Sequence, residues 1–280
     1  MNRLLWLKLL FRRRTAFIGL LIIVLFVIAA VFAPYLAPHD PTNISLSRRL
    51  ESPSSVHLLG TDEVGRDQLS RLLYGARITL MMGVIAIGIS ATIGSFLGVV
   101  SGFLGGLVDL LVQRIIDILM ALPPMLLAIV IVAILGPGLW NAMIAVGIAF
   151  IPSYARTVRA SVLELREQNF VEASRAIGVG TPTIIARHIM PNCLGPLLVL
   201  SSLFLGTAIL LAAGLGFLGL GVQPPTPEWG AMLGRTRGYM RMAPHVAIFP
   251  GLAIVLVVLG FNLLGDGLRD ALDPRMRGYL

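Results

Sequence analysis

The chain has 280 residues, of which 56% are hydrophobic and only 13% are charged. Soluble globular chains usually carry about 25% charged residues, so this composition excludes an ordinary soluble protein and indicates a membrane protein. The net charge of +8 fits Lys and Arg retained on the cytoplasmic side of a membrane better than a nucleic-acid partner.

Six stretches are predicted to span the membrane as helices, because each spanning helix needs roughly 20 apolar residues. The uncharged run at 118–155 is too long for one span, and Gly136-Pro137-Gly138 breaks it in the middle. The predicted spans lie near 15–36, 78–102, 115–135, 139–155, 196–215 and 246–265. The sequence therefore predicts an all-α membrane protein.

The basic residues give this bundle an orientation. With both termini in the cytoplasm, the inside segments carry 14 of the 22 basic residues, in keeping with the positive-inside rule. The first apolar run is too long for a signal peptide, and Pro34-Tyr35-Leu36 is a poor cleavage context, so we expect a retained first helix. The single cysteine, Cys193, excludes an intrachain disulfide and is expected to be a small buried residue.

The predicted organisation has four parts. Residues 1–37 form a cytoplasmic N-terminus and the first helix, and residues 38–77 form an external segment. In that segment the spacing of Leu69, Leu72 and Leu73 predicts a short amphipathic helix along the membrane surface. A five-helix core at 78–265 contains a cytoplasmic loop at 156–195, and residues 266–280 form a cytoplasmic tail.

Glycines recur every four residues along the second span, at Gly94, Gly98, Gly102 and Gly106. This spacing predicts a smooth stripe along which another helix packs closely, with a hinge as the alternative.

The third span begins with charged residues and contains two prolines. Arg114 and Asp117, three residues apart, are predicted to pair at the membrane interface. Pro123-Pro124 is predicted to kink the span.

A charged island, Asn169–Pro191, interrupts the apolar spans. Asn169 and Glu172 have the form of a capping box, and Gly178 offers a left-handed helix end. A second helix is then predicted from Thr181 to about Met190, so the island should fold as helix, glycine corner and helix.

The first helix of this island has an apolar face made by Phe170, Ala173, Ala176 and Ile177. Two interpretations stay open. The face docks on a soluble partner, or the hairpin packs only on its own bundle.

We expect no catalytic, cofactor-binding or metal-binding residues. Gly214, Gly216 and Gly219 match a dinucleotide fingerprint but lack its strand and acidic residue, and Lys8 is the sole lysine, so no phosphate-binding loop exists. The histidines lack metal-ligand spacing in the sequence; they are His39, His57, His188 and His245.

The island resembles the EAA loop of permease subunits from binding-protein-dependent ABC importers. The matching residues are Glu172-Ala173-Ser174, then Gly178, then His188-Ile189-Met190-Pro191. Ser174, His188 and Met190 depart from the family pattern. Asn169–Pro191 is called the EAA-like loop below.

Three further stretches look like signatures of the dipeptide, oligopeptide and nickel permeases of this class. They are Leu59–Arg77, Phe217–Gly230 and Asn262–Arg275.

The resemblance implies a type I ABC importer permease fold in a bacterial or archaeal cytoplasmic membrane. It implies as partners a second homologous permease that forms a heterodimer with this chain, two cytoplasmic ATPase domains that bind ATP and Mg²⁺, and an external solute-binding protein. Peptides are the expected cargo, with glutathione or nickel as alternatives. The implied coupling residues are Glu172, Ala173, Ser174, Gly178 and Pro191.

An external loop with Gln223, Pro224, Pro225 and Trp229 is also part of the resemblance. Its two interpretations are a stiff proline turn with an interfacial Trp, and a contact with the binding protein or the outer gate.

Two other classes of protein remain as rivals. An ion-coupled secondary transporter normally needs ionisable residues near the bilayer midplane, and the predicted span centres have none. A membrane-embedded enzyme needs convergent catalytic groups, which the spans do not supply.

Overall fold

A computed structural model describes residues 14–272. Within that range the chain is helical, with one isolated β-bridge between Thr61 and Asp67. The α-helices, in chain order, are α1 (Arg14–Val31), α2 (Ala33–Leu36), α3 (Gln68–Leu104), α4 (Gly106–Met120), α5 (Pro124–Leu135), α6 (Leu139–Arg166), α7 (Asn169–Ala176), α8 (Thr181–Ile184), α9 (Met190–Phe217), α10 (Trp229–Thr236) and α11 (His245–Leu272). The basic residues before Arg14 lie outside the described residues. So do residues 273–275, the end of the stretch Asn262–Arg275 that resembles the permease signature.

The long helix α3 begins at Asp67, whose side chain accepts a hydrogen bond from the Ser70 backbone N–H, the usual role of an N-cap residue. The predicted separate amphipathic helix is wrong, because its leucines belong to the first turns of α3. The polar residues beside these leucines do not face water either, because Arg66, Gln68 and Arg71 are buried. Arg71 is buried, with its Nε 3.2 Å from Oδ2 of Asp62.

The glycine stripe is a packing surface, as predicted. A Cβ at Gly98 would lie 2.6 Å from the carbonyl oxygen of Ala155 in α6, and a Cβ at Gly94 or Gly102 would lie 2.5 or 3.0 Å from the nearest side-chain atom of α6. The backbones of α3 and α6 can therefore touch. Gly106 is not part of the stripe, because it has a positive φ of 54° at the start of α4 and nothing within 4 Å of its Cβ position.

The predicted proline kink is confirmed and is a full break. α4 ends at Met120, α5 begins at Pro124, and the two helices are bent by 92°. By length and composition, four described helices can cross a membrane, or five if this bent pair counts as one span. The number six, like the cytoplasmic termini, stays a prediction.

The predicted pair between Arg114 and Asp117 is wrong. Asp117 instead accepts a hydrogen bond from Arg156 of α6 at 2.6 Å, because the packing of α4 on α6 brings a better-placed guanidinium to it. One turn further along α6, Arg159 binds both carboxylate oxygens of Asp109, each at 2.6 Å. These two ion pairs fix α4 against α6.

The remaining layer consists of α1, α11 and α9. A Cβ at Gly19 in α1 would lie 2.7 Å from the carbonyl oxygen of Gly260 in α11, so these helices also cross at small residues. Trp229 and Ile209 lie at the centre of the apolar cluster that joins this layer to α3.

Candidate functional site: the EAA-like loop

The EAA-like loop leaves the end of α6 and begins with the short helix α7. The predicted capping box does not form. Gln168, one residue before the predicted Asn169, is the N-cap, and its side chain makes no capping hydrogen bond. Its carbonyl oxygen accepts from the backbone N–H of Val171 at 2.9 Å, which places Asn169 inside the helix. Glu172 therefore lies in the first turn, where the interaction of its negative charge with the helix dipole stabilises the helix.

The glycine corner is confirmed and has the form of a Schellman motif. The Val179 N–H donates to the Ser174 carbonyl, and the Gly178 N–H donates to the Arg175 carbonyl, both at 3.0 Å. Gly178 has a φ of +80°, a conformation that costs an L-residue about 1–2 kcal/mol. The corner thus requires glycine at this position.

The two faces of α7 have different surroundings. Val171 and Ser174 are buried against the bundle, and the Ser174 hydroxyl donates to the Phe170 carbonyl at 2.7 Å. The predicted apolar face points away from the bundle, with Phe170 40% and Ile177 80% exposed. Glu172 and Ala173 are exposed as well. Within the described residues this face is largely uncovered apart from the contact of Phe170 with His188, which favours docking over a hairpin closed on itself.

The return path of the loop differs from the prediction. The helix does not end before Pro191. It continues from α8 through a π-helical turn, Ile185–Ile189, into α9. The Met190 N–H bonds to the carbonyl of Ile185, five residues back. Because Pro191 has no N–H and its ring crowds the preceding turn, this wider turn lets the helix continue.

Two aromatic contacts hold α7 in place. The Arg175 guanidinium lies 5.2 Å from the ring centroid of Phe103, near the end of α3. His188, which departs from the family pattern, has its ring 5.9 Å from that of Phe170. α7 therefore contacts the end of α3 through Phe103 and the π-helical turn before α9 through His188.

The second predicted site, the external loop, is only partly exposed. Gln223, Pro224 and Pro225 are exposed, but Trp229 is fully buried. Its indole N–H donates to the carbonyl of Leu72 at 3.0 Å. The interfacial Trp is therefore wrong, because Trp229 is fully buried. The contact of this loop with the binding protein or the outer gate stays a prediction, with Gln223, Pro224 and Pro225 as its exposed residues.

Sequence reasoning missed Glu228, which caps α10. Its carboxylate accepts from the backbone N–H groups of Gly230 and Ala231, each at 2.7 Å. Burial raises the pKa of Glu228 to about 7, although these hydrogen bonds act in the opposite direction. The sequence carried little signal for this role, because the preferred N-cap residues are Ser, Thr, Asp and Asn rather than Glu.

Most of the chain matches two protein-family models. Residues 94–278 match the binding-protein-dependent transport system inner membrane component. Residues 4–53 match the N-terminal transmembrane domain of oligopeptide transport permease C.

Curated relatives cover nearly the whole chain. A dipeptide transport system permease protein of Alkalihalophilus pseudofirmus is 49% identical over 95% of this chain and 88% of its own length. A glutathione transport system permease protein of Escherichia coli is 50% identical over the same shares.

A solved structure with the same fold is an inward-facing methionine ABC transporter. It aligns with a TM-score of 0.58 at 23% identity and covers 72% of this chain and 96% of that one. At this identity the likeness shows the fold, that of a type I importer permease.

Proposed function

Because the chain belongs to the family of binding-protein-dependent transport system inner membrane components, we propose that it forms half of a peptide import pathway driven through its EAA-like loop. It is an ABC importer permease of the dipeptide and glutathione type in the bacterial inner membrane, and it is not itself an enzyme. The family implies ATPase and substrate-binding protein partners.

The exposed face of α7 carries the coupling proposal. A protein can be driven only by a partner that contacts its conformational states differently, and this face is an exposed part of the loop that is available for such contact. Glu172 and Ala173 lie on it, and Gly178 sets the direction in which the chain leaves it. ATP and Mg²⁺ are bound by the ATPase subunits and not by this chain.

A photo-crosslinking experiment tests this coupling. In a Cys193→Ala background, Ala173→Cys carries a maleimide-benzophenone on the exposed face of α7. The matched control is Ser174→Cys, an almost isosteric change on the buried face, 9% exposed. We expect Ala173→Cys to capture an ATPase subunit in native membranes, identified by mass spectrometry.

Failure of Ala173→Cys to capture any ATPase would contradict the proposal. Equal capture from both positions would also count against it, since the structure places only one of them on the free face.

We propose peptides as cargo and a second, homologous permease as the other half of the pathway. The cargo follows the names of the relatives, since glutathione is itself a small peptide. In cells with the complete importer, excess unlabelled dipeptide should suppress uptake of a labelled dipeptide more strongly than glutathione or Ni²⁺ does.

The second permease has a surface available to it. An apolar groove between α3 and α9 is bordered by Phe96, Val99, Leu194 and Leu197. The lining of this groove is mostly apolar, as expected for a surface that a second subunit covers.

A further inference from the structure

Three side chains that are distant in the sequence meet near the start of α3. One ligand atom from each of His39, His57 and Asp67 lies within 4.8 Å of the other two. Oδ1 of Asp67 is 2.8 Å from Nδ1 of His57 and 3.6 Å from Nδ1 of His39. We propose that these three residues bind a divalent transition-metal ion, with Zn²⁺ the best chemical match.

An unsatisfied nitrogen points to a ligand. Nδ1 of His39 is buried and has no hydrogen-bond partner within residues 14–272, although the imidazole as a whole is 37% exposed. Buried polar atoms are nearly always paired, and an exception requires an explanation such as a missing ion. A metal ion between His39 and Asp67 would give this nitrogen its partner.

The carboxylate is already oriented for such an ion. Oδ2 of Asp67 accepts from the backbone N–H and the hydroxyl of Ser70, at 2.8 and 2.7 Å. Oδ1 is therefore left facing both imidazoles. The Ser70 hydroxyl also accepts from the His39 backbone N–H at 3.1 Å, so one residue holds two of the ligands, as outer-shell partners of metal sites do.

The donor set matches zinc. Zn²⁺ binds imidazole nitrogen and carboxylate oxygen at about 2.0–2.2 Å in tetrahedral geometry, which places ligand atoms roughly 3.3 Å apart. The His39–Asp67 distance of 3.6 Å is close to this value, and the His57–Asp67 distance of 2.8 Å must open by about half an ångström. Water can complete the coordination through the surface cavity that borders His39, Asp40 and Tyr74.

Arg48 opposes the ion. Its Nη1 lies 3.2 Å from Nε2 of His57, so the neutral ring accepts from Arg48 and donates through Nδ1 to Asp67. Metal ligation through Nδ1 shifts that proton to Nε2, where it would face the guanidinium donor. Arg48 is exposed, so its side chain can turn into water, and it competes with the metal rather than blocking it.

The bound ion would tie three segments together. His39 follows α2, His57 lies between the 3₁₀ turn Leu46–Arg48 and α3, and Asp67 caps α3. The proposed role is structural: the ion would fasten the predicted external segment to the start of the long helix. This inference does not depend on the cargo or on ATPase coupling.

Metal titration of the full chain in detergent tests the site. The protein is purified with a tag that contains no polyhistidine, and Co²⁺ is added as a spectroscopic substitute for Zn²⁺. We expect about one equivalent of Co²⁺ with the visible absorption of a four-coordinate site, displaced by Zn²⁺. His39→Gln and Asp67→Asn should weaken binding at least ~10-fold. Asn at 67 can still cap α3.

Two further variants make the assignment specific. His188→Gln removes a histidine outside the cluster and should bind Co²⁺ as the unmodified chain does. Arg48→Gln should tighten binding, because a Gln oxygen can accept from the new Nε2–H. Circular dichroism shows that each variant is folded. The site is overturned by the absence of stoichiometric Co²⁺ binding in the unmodified chain, by unchanged binding in folded His39→Gln, or by weaker binding in Arg48→Gln.

Discussion

Gly178 has a left-handed backbone conformation and open space at its Cβ position. Its φ of +80° disfavours every L-residue, yet a Cβ there would meet nothing within 4 Å. The cost of substitution is therefore backbone strain alone, about 1–2 kcal/mol and greatest for a β-branched side chain. The strain acts on the corner that directs α7, and not on the packing of the spans.

We expect Gly178→Val to reduce peptide uptake severalfold while the chain still inserts in the membrane. Gly178→Asn should be milder, because Asn tolerates the left-handed region. The control is Gly180→Ala, two residues away, where φ is an ordinary −64°. Uptake of a labelled dipeptide is compared with the amount of each variant in the membrane. Full uptake by a correctly inserted Gly178→Val chain would contradict this assignment.

Close helix packing along α3 makes a second prediction. Gly98→Val should destabilise the chain by about 1–3 kcal/mol, because its Cβ would meet the Ala155 carbonyl at 2.6 Å and overpacking strains both helices. Gly88 lies on the same helix with nothing within 4 Å of its Cβ position. Gly88→Ala should therefore be neutral or slightly stabilising.

Cys193 supplies the measurement for this pair of variants. It is the chain's single cysteine and is buried, so a fluorogenic maleimide reacts as the bundle opens on heating. A lower midpoint for Gly88→Ala than for Gly98→Val would show that the stripe does not carry the packing.

Local signals with one physical meaning were readable from the sequence. The four-residue glycine spacing predicted a close helix contact, Gly178 predicted the corner, and Pro123-Pro124 predicted a kink. Each of these depends on backbone properties of Gly or Pro that few surroundings can override.

The features that sequence reasoning missed depend on contacts between distant segments. Asp117 pairs with Arg156 and not with its helical neighbour Arg114. Trp229 is buried in an apolar cluster and donates to the carbonyl of Leu72. The meeting of His39 with His57 is of the same kind. Helical periodicity describes neighbours three or four residues apart and carries no signal for such pairs.

The path of the chain gives the bundle a testable topology. Arg166, at the end of α6, donates to the carbonyl of Gly102, near the end of α3. The Gly138 N–H, at the start of α6, approaches the carbonyl of Leu220 in the predicted external loop at 3.4 Å. The bent pair α4–α5 and the helix α6 therefore run between opposite ends of the bundle. We infer that each crosses the membrane, which makes six crossings and places the EAA-like loop opposite the external segment.

Cysteine labelling in intact cells checks this topology. In a Cys193→Ala background, Pro137→Cys lies in the exposed turn before α6, Ile177→Cys lies in the EAA-like loop, and Ser55→Cys marks the external segment. A membrane-impermeant maleimide should label positions 55 and 137 from outside and position 177 only after permeabilisation. If the bent pair instead dips into the membrane and returns, position 137 will be protected in intact cells. Position 177 will then be labelled from outside, and an ATPase could not reach α7 at all.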